Sequence, residues 1–261
     1  MTYLCASVNS WSLGIKTNVR LLLPDLEPGQ APPPEGYAVL YLLHGYTGDG
    51  GDWMRLSRLE RYLENKQAVA VMPDGGKGFY TDTCSGDAYW TYLSQELPQF
   101  IETNFAVSNR RERTFAAGLS MGGYGALKLA LRRPERYAAA ASFSGVVDVA
   151  DTMELIREVP GLIPHCHVPP NFGAIFGSRE QVCGTENDLT ALLNAIPPQD
   201  CPALQLYCGA ADALLASNER FAAAARLRGL PCRFERLPGG HEWGFWDEAL
   251  GKTIKKWPLG G

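Results

Sequence analysis

The stretch Thr114–Leu131, TFAAGLSMGGYGALKLAL, decides the fold. It opens on an apolar run, places one serine among glycines, and passes at once into a helical pattern. Glycine normally loosens a helix start, so packing alone gives no reason for that crowding. Gly118-Leu119-Ser120-Met121-Gly122 fits G-x-S-x-G, and it lies between a strand-like and a helix-like run, the context the motif requires. A serine on so sharp a turn is strained, and side chains two residues to either side would collide. Gly118 and Gly122 remove those collisions, and Gly123 lets the helix start close to the strand. The helix N-terminus also directs amide groups and a positive dipole end at this place, which suits a developing oxyanion. A serine that merely caps a helix after a glycine-rich turn is the plainer alternative.

The flanking segments continue the same alternation of strand and helix. Tyr37–Gly45, YAVLYLLHG, is continuously apolar, as a strand buried on both faces should be. A proline-rich turn, Pro24–Gly36, separates it from an earlier strand-like run. Ala68–Asp74 reads as a strand, Ala88–Phe105 as an amphipathic helix, Arg113–Leu119 as a strand and Gly123–Arg133 as a helix. Tyr137–Gly145 is a strand again, followed by a long irregular insertion from Val149 to about Pro198. Strands at Ala203–Gly209 and Pro231–Leu237 then alternate with helices at Ala216–Gly229 and Trp243–Trp257. The pattern predicts one α/β domain over residues 1–261, with a mostly parallel central sheet and helices on both faces. In open sheets of this kind the chemistry collects at the carboxyl ends of the strands.

Composition narrows the function classes. The 261 residues are 46% apolar and 20% charged, ordinary values for a globular domain able to bury a large core. A net charge of −4 offers no basic patch for phosphate backbones, so nucleic acid is not expected as a partner. Seven scattered cysteines without C-x-x-C spacing read as reduced thiols in a cytoplasmic protein. The N-terminal residues carry no signal-peptide pattern, and no apolar run approaches the ~18 residues of a membrane span, so no membrane partner is expected. A homo-oligomer is left open. His165, Cys166 and His167 alternate on an extended segment and would point to opposite sides, so no metal is expected there, and Cys166 and Cys183 are not expected to form a disulfide. Gly75, Gly76 and Gly78 do not have the spacing of a phosphate-binding loop.

A serine hydroxyl needs a base to take its proton. Of the four histidines, His241 lies in a glycine loop between the last strand and the last helix, where an imidazole can reach the serine turn. His241-Glu242 has no second histidine four residues on, so it is not a zinc-binding helix. The imidazole in turn needs an anion to fix its tautomer. Asp212 follows a strand, precedes a helix and keeps the order Ser, Asp, His. Asp200, Glu219 and Asp247 compete, but Asp200 precedes the strand, Glu219 falls inside a helix and Asp247 comes after the base. The oxyanion donors are expected to be the backbone N–H groups of Met121 and of Tyr46, in the loop HGYTGDGGDW. A structural role is expected for His44. Trp243, two residues past the base, is expected in the pocket wall, while Trp90 and Trp246 fit a pocket or the core equally.

Together, YLLHGYTGDGGDW, VMPDGGKGFYTDT, ELPQFIETNF, TFAAGLSMGGYGALKLAL, ASFSG and GGHEWGFWDEAL resemble the esterase D-like group of α/β-hydrolases, and more narrowly the bacterial tributyrin (acetyl) esterases. The likeness runs from about Tyr41 to Leu250. It implies a cofactor-free serine carboxylesterase acting on short acyl esters, acetyl to butyryl, with Ser120, Asp212 and His241 as its triad and Tyr46 and Met121 as oxyanion donors. It also implies that residues 149–198 form a cap over the acyl pocket and that the loop around Gly75–Gly78 borders the active site. One departure is that alanines flank Asp212, where such esterases often carry an acidic or aromatic neighbour. S-formylglutathione hydrolases, feruloyl esterases and mycolyltransferases belong to the same broad group. A non-enzymatic binding module on the same fold would be expected to lose part of the triad, and no such loss is visible.

Overall fold

Residues 1–158 and 168–260 are described by the computed structural model. Eight strands form one sheet: β1 (Thr2–Ser10), β2 (Ile15–Leu23), β3 (Ala38–Leu43), β4 (Ala68–Pro73), β5 (Thr114–Leu119), β6 (Ala139–Phe143), β7 (Ala203–Gly209) and β8 (Cys232–Leu237). Their order across the sheet is β1-β2-β4-β3-β5-β6-β7-β8. The β1–β2 and β2–β4 pairs are antiparallel, and every pair from β4 to β8 is parallel. Every residue of β3, β4, β5 and β6 is buried, as their unbroken apolar runs require of strands covered on both faces.

The helices are α1 (Asp52–Leu56), α2 (Leu59–Leu63), α3 (Tyr89–Thr91), α4 (Leu97–Asn104), α5 (Met121–Arg132), α6 (Val149–Glu158), α7 (Phe172–Phe176), α8 (Arg179–Val182), α9 (Leu189–Ala195), α10 (Leu215–Leu227) and α11 (Trp243–Lys256). One face of the sheet is covered by α4, α5, α9 and α10, through residues such as Leu97, Leu127, Leu193 and Phe221. The other face is covered by α1, α2 and α11, through Trp53, Leu63, Leu250 and Ile254. The expected mostly parallel sheet with helices on both faces is therefore present.

Three details differ from the sequence reading. β1 was not expected, because its residues are mostly exposed and leave no burial pattern; it is held by pairing with β2. The helix expected over Ala88–Phe105 contains a π-helical turn, Tyr92–Glu96, between α3 and α4. Its Glu96 carboxylate accepts from the Ser10 hydroxyl and the Trp11 and Ser12 amides, so it caps the tip of the β1–β2 hairpin. The described residues of the insertion are not irregular, since they carry α6, α7, α8 and α9, while residues 159–167 of it lie outside the described residues.

Register sets the site. Leu43 pairs with Gly118, Leu119 with Phe143, and Gly209 with Leu237, so the carboxyl ends of β3, β5, β6, β7 and β8 finish along one edge. Tyr46, Ser120, Asp212 and His241 lie one to four residues beyond β3, β5, β7 and β8.

Candidate active site

Ser120 follows the last residue of β5 and precedes the first of α5, with φ 52° and ψ −116°. A positive φ at a residue with a Cβ costs about 1–3 kcal/mol and persists only where the surroundings impose it. The glycines make that possible, though by relieving clashes with backbone as well as side chains. A Cβ on Gly122 would run into the Leu43 carbonyl oxygen, and one on Gly118 into the carbonyl of Gly122. A Cβ on Gly123 would stand 2.6 Å from Ser142 Oγ, so the close approach there is to the end of β6. The Ser120 hydroxyl makes no helix-capping bond, which disposes of the capping alternative. It lies instead 3.0 Å from His241 Nε2.

The loops after β7 and β8 are joined to each other. The Ala210 N–H donates to the Leu237 carbonyl at 2.8 Å and the Ala211 N–H to the Gly239 carbonyl at 2.9 Å. Gly209 permits this contact, because a Cβ there would meet Gly239 O at 2.5 Å. The pairing brings His241 Nδ1 to 3.0 Å from Asp212 Oδ2, while Asp212 Oδ1 accepts the Leu214 N–H at 2.9 Å. Burial of Asp212 opposes its ionisation. The His241 ring and the Leu214 amide outweigh that cost and hold the carboxyl below the usual carboxylate range. An ionised Asp212 accepts only, so His241 carries its proton on Nδ1 and presents Nε2 to Ser120 as an acceptor.

The competing acids are elsewhere. Asp247 bonds Arg58 and the Tyr62 hydroxyl, Glu219 lies 3.9 Å from Arg236, and Asp200 is exposed before β7.

Two spaces meet at Ser120. A groove of about 640 Å³ is lined by Tyr46, Asp52, Ser120, His241, Trp243 and Trp246, among others. A second, narrower compartment, of only about 20 Å³, is lined by Phe79, Val146, Ile156, Phe172 and Leu214, among others. Trp243 thus stands in the wall of the groove, edge-on to Trp53 and to Trp246 with ring centres 5.3 and 5.4 Å apart. Trp246 belongs to the groove too, and its ring stands 5.0 Å from that of His241, perpendicular to it. Trp90 lies away from both spaces, beneath Lys128 and Arg132. Tyr46 is buried and borders both spaces, and Met121 is the first helical residue of α5, whose N–H has no partner within the helix. The loop holding Gly75, Gly76 and Gly78 adjoins the site: Lys77 sits over the Tyr46 ring at 5.1 Å and Phe79 walls the small compartment. Phe79, Val146, Ile156, Phe172 and Leu214 come from five separated segments, and no local pattern in the sequence marks them.

Among the described residues, no group of three or more His, Cys, Asp and Glu side chains stands together to hold a metal ion. His165, Cys166 and His167 lie outside the described residues. No helix among the described residues is long and apolar enough to cross a membrane.

A serine held in this way at the carboxyl edge of a mostly parallel sheet is the arrangement of an α/β-hydrolase. A family model described as "Putative esterase" matches residues 10–256, and the chain belongs to that family. The chain is 26% identical to an acetyl esterase of Caldicellulosiruptor saccharolyticus over 261 residues, covering 95% of this chain and 96% of the relative. Among solved structures it is similar to the fluorophosphonate-binding serine hydrolase F of Staphylococcus aureus, with TM-score 0.87, 28% identity and coverage of 100% and 99% of the two chains. It is also similar to an S-formylglutathione hydrolase of Staphylococcus aureus, with TM-score 0.85, 29% identity and 97% of each chain covered. The resemblance to the esterase D-like group is borne out, and the chain is a serine hydrolase of the carboxylic-ester class.

Proposed function

We propose that this esterase hydrolyses short-chain acyl esters through Ser120, His241 and Asp212. The observation that carries the reading is the unbroken chain from Ser120 Oγ through both nitrogens of His241 to Asp212, with 3.0 Å at each contact. His241 Nε2 takes the Ser120 proton as Oγ attacks the ester carbonyl. The Tyr46 and Met121 amides receive the oxyanion, and the alcohol leaves with the proton from His241. Water then attacks the acyl-enzyme by the same route, while Asp212 stays ionised and stabilises the imidazolium.

The two spaces divide the substrate. The narrower compartment takes the acyl group, because its free space of about 20 Å³ suits a group about as small as a water molecule or a methyl, whereas the groove takes the alcohol. We read the described parts of the insertion, residues 149–158 and 168–198, as a cap on a single domain, since Thr152 and Ile156 of α6 and Phe172 of α7 border the small compartment. The similarity to an acetyl esterase supports the same acyl size. A cytoplasmic location fits the six cysteines that are free among the described residues.

A second reading, hydrolysis of S-formylglutathione, is favoured by the similarity to an enzyme of that name and by a formyl group being smaller than acetyl. Both are tested by turnover of p-nitrophenyl acetate, butyrate and octanoate and of S-formylglutathione by wild type and Ser120→Ala. Oxygen-ester activity that falls with chain length and vanishes in the variant is the expected result. Activity surviving in Ser120→Ala would sink the reading, and preferred turnover of S-formylglutathione would select the thioester.

A further inference from the structure

His44 lies directly before the loop that carries Tyr46 and is completely buried. Both of its ring nitrogens are engaged. Nδ1 is 2.7 Å from the Gly45 carbonyl oxygen, and the Gly75 N–H points at Nε2 from 2.8 Å. A carbonyl only accepts and an amide N–H only donates. The two bonds therefore coexist in one form of the ring, the neutral imidazole with its proton on Nδ1. Burial favours the same form by pushing the pKa of His44 below its ordinary value. With both nitrogens used and no exposed surface, His44 has no capacity left for proton transfer to a substrate.

What His44 holds is a particular peptide. The chain has no cis peptide bond among the described residues, so the Gly45 carbonyl and the Tyr46 N–H point in opposite directions across one plane. His44 holds the Gly45 carbonyl to its own ring, so the Tyr46 N–H is turned away from His44, and Gly45 and Tyr46 line the groove together with Ser120. The peptide stands beside the nucleophile: a Cβ built on Gly45 would be 3.6 Å from Ser120 Cβ. Two further bonds brace it. The Gly48 N–H donates to the same Gly45 carbonyl at 3.1 Å, and the Tyr80 hydroxyl donates to the His44 carbonyl at 3.0 Å, fixing the preceding peptide.

We propose that His44 is a positioning residue for the oxyanion hole, its Nδ1–H fixing the Gly45–Tyr46 peptide so that the Tyr46 N–H faces the reacting carbonyl oxygen. This rests on the proposed role of Tyr46 as an oxyanion donor. His44 touches no substrate and acts through that peptide alone.

Two substitutions separate the halves of the ring. In His44→Asn the amide nitrogen stands near the place of Nδ1 and keeps a donor for the Gly45 carbonyl. In His44→Gln the side-chain oxygen stands near the place of Nε2 and keeps an acceptor for Gly75, but the donor is lost. With active sites counted by fluorophosphonate labelling, kcat for p-nitrophenyl acetate is expected to fall about 100- to 1000-fold in the Gln variant, the cost of one oxyanion donor. KM should stay within about threefold, and the Asn variant should retain at least tenfold more kcat than the Gln variant. The affinity of a trifluoromethyl ketone, whose adduct carries an oxyanion, should fall in step with kcat. Equal kcat per active site in the two variants, or a loss confined to KM, would overturn the proposal.

If either variant fails to fold, Tyr80→Phe supplies the test, since it removes only the brace on the neighbouring peptide. A several-fold parallel loss of kcat and ketone affinity at constant KM is expected there, and no change in either would overturn the proposal. Ser120→Ala is run beside them. Activity persisting in that variant overturns the esterase reading and this inference together, whereas its loss with matched His44 variants overturns this inference alone.

Discussion

Replacing Asp212 by asparagine removes one charge and no hydrogen-bonding atom, and the surroundings dictate how the amide sits. The Leu214 N–H, 2.9 Å from Oδ1, requires an acceptor, so the amide oxygen takes that place. The NH₂ group then occupies the position of Oδ2 and donates to His241 Nδ1, 3.0 Å away. His241 is forced into the tautomer with its proton on Nε2, the nitrogen that faces Ser120, and the base is lost while the geometry is kept. A wrong tautomer of this kind costs about 10⁴ in kcat, or about 5.4 kcal/mol in the barrier. Stability should change much less, by about 1 kcal/mol, because both contacts of the side chain survive. The small change has a defined pH dependence. The wild-type carboxyl ionises below the usual range, so its stabilising effect is present above the unfolded-state value and is lost as pH falls through the folded one. The two proteins should therefore converge in stability under strongly acid conditions. Single-turnover kinetics with p-nitrophenyl acetate, alongside thermal melts from neutral to acid pH, measure both quantities. A loss in kcat smaller than about 100-fold in a variant that melts like wild type would refute the tautomer argument.

Three more substitutions examine other parts of the account. Ile156→Ala should open the small compartment, and two added methylenes at about 0.8 kcal/mol each would raise the butyrate-to-acetate ratio of kcat/KM by roughly 15-fold; an unchanged ratio would place the acyl group elsewhere. Gly122→Ala should fold poorly and lose activity, because the new methyl meets the carbonyl oxygens of Leu43 and His44 and must push α5 off β3; a variant with wild-type melting temperature and kcat would contradict the packing described for the turn. Lys128 is buried, donates to Thr81 Oγ1 and Asn187 Oδ1, and has no carboxylate in ion-pair contact among the described residues. Burial and then Arg132 push its pKa well below the ordinary value, so the folded chain gives up this proton more readily than the unfolded chain, and the site costs stability at pH values below that of a free lysine. Lys128→Met should therefore raise the melting temperature at pH 7, with the gain shrinking as pH approaches that of a free lysine; a lower melting temperature at pH 7 would show that the two hydrogen bonds outweigh the burial.

Much of the fold was legible because burial on both faces leaves a plain signature. β3, β4, β5 and β6 are unbroken apolar runs, and nothing but a covered strand explains them. β1 left no signature, because an edge strand held by backbone pairing needs no apolar face. The short helices α7 and α8 span five and four residues, too few for a helical period to repeat. The burial of Lys128 left no signature either, because the loops around Thr81 and Asn187 close over it, and only three-dimensional neighbours reveal that.

The site divides along the same physical line. Ser120 was legible because a strained turn needs glycines at fixed sequence distances, so its environment is written next to it. Asp212 was separable from Asp200, Glu219 and Asp247 only by its place in the strand order, and its partner stands on a neighbouring strand's loop. Asp212, Glu219 and Asp247 each have their own contacts, and of these three Asp212 alone stands within hydrogen-bond reach of the imidazole that faces Ser120, which supports the proposed triad. His44 lies at the far end of this scale. A structural role is what the sequence led us to expect, and the two hydrogen bonds that occupy both ring nitrogens give that role a definite task. A side chain that orients a backbone amide leaves no mark in the sequence beyond its own identity, since the group it controls belongs equally to any residue. Oxyanion donors contributed by the backbone are for this reason invisible to side-chain reading, and the residues that aim them become visible only when the direction of each peptide is known.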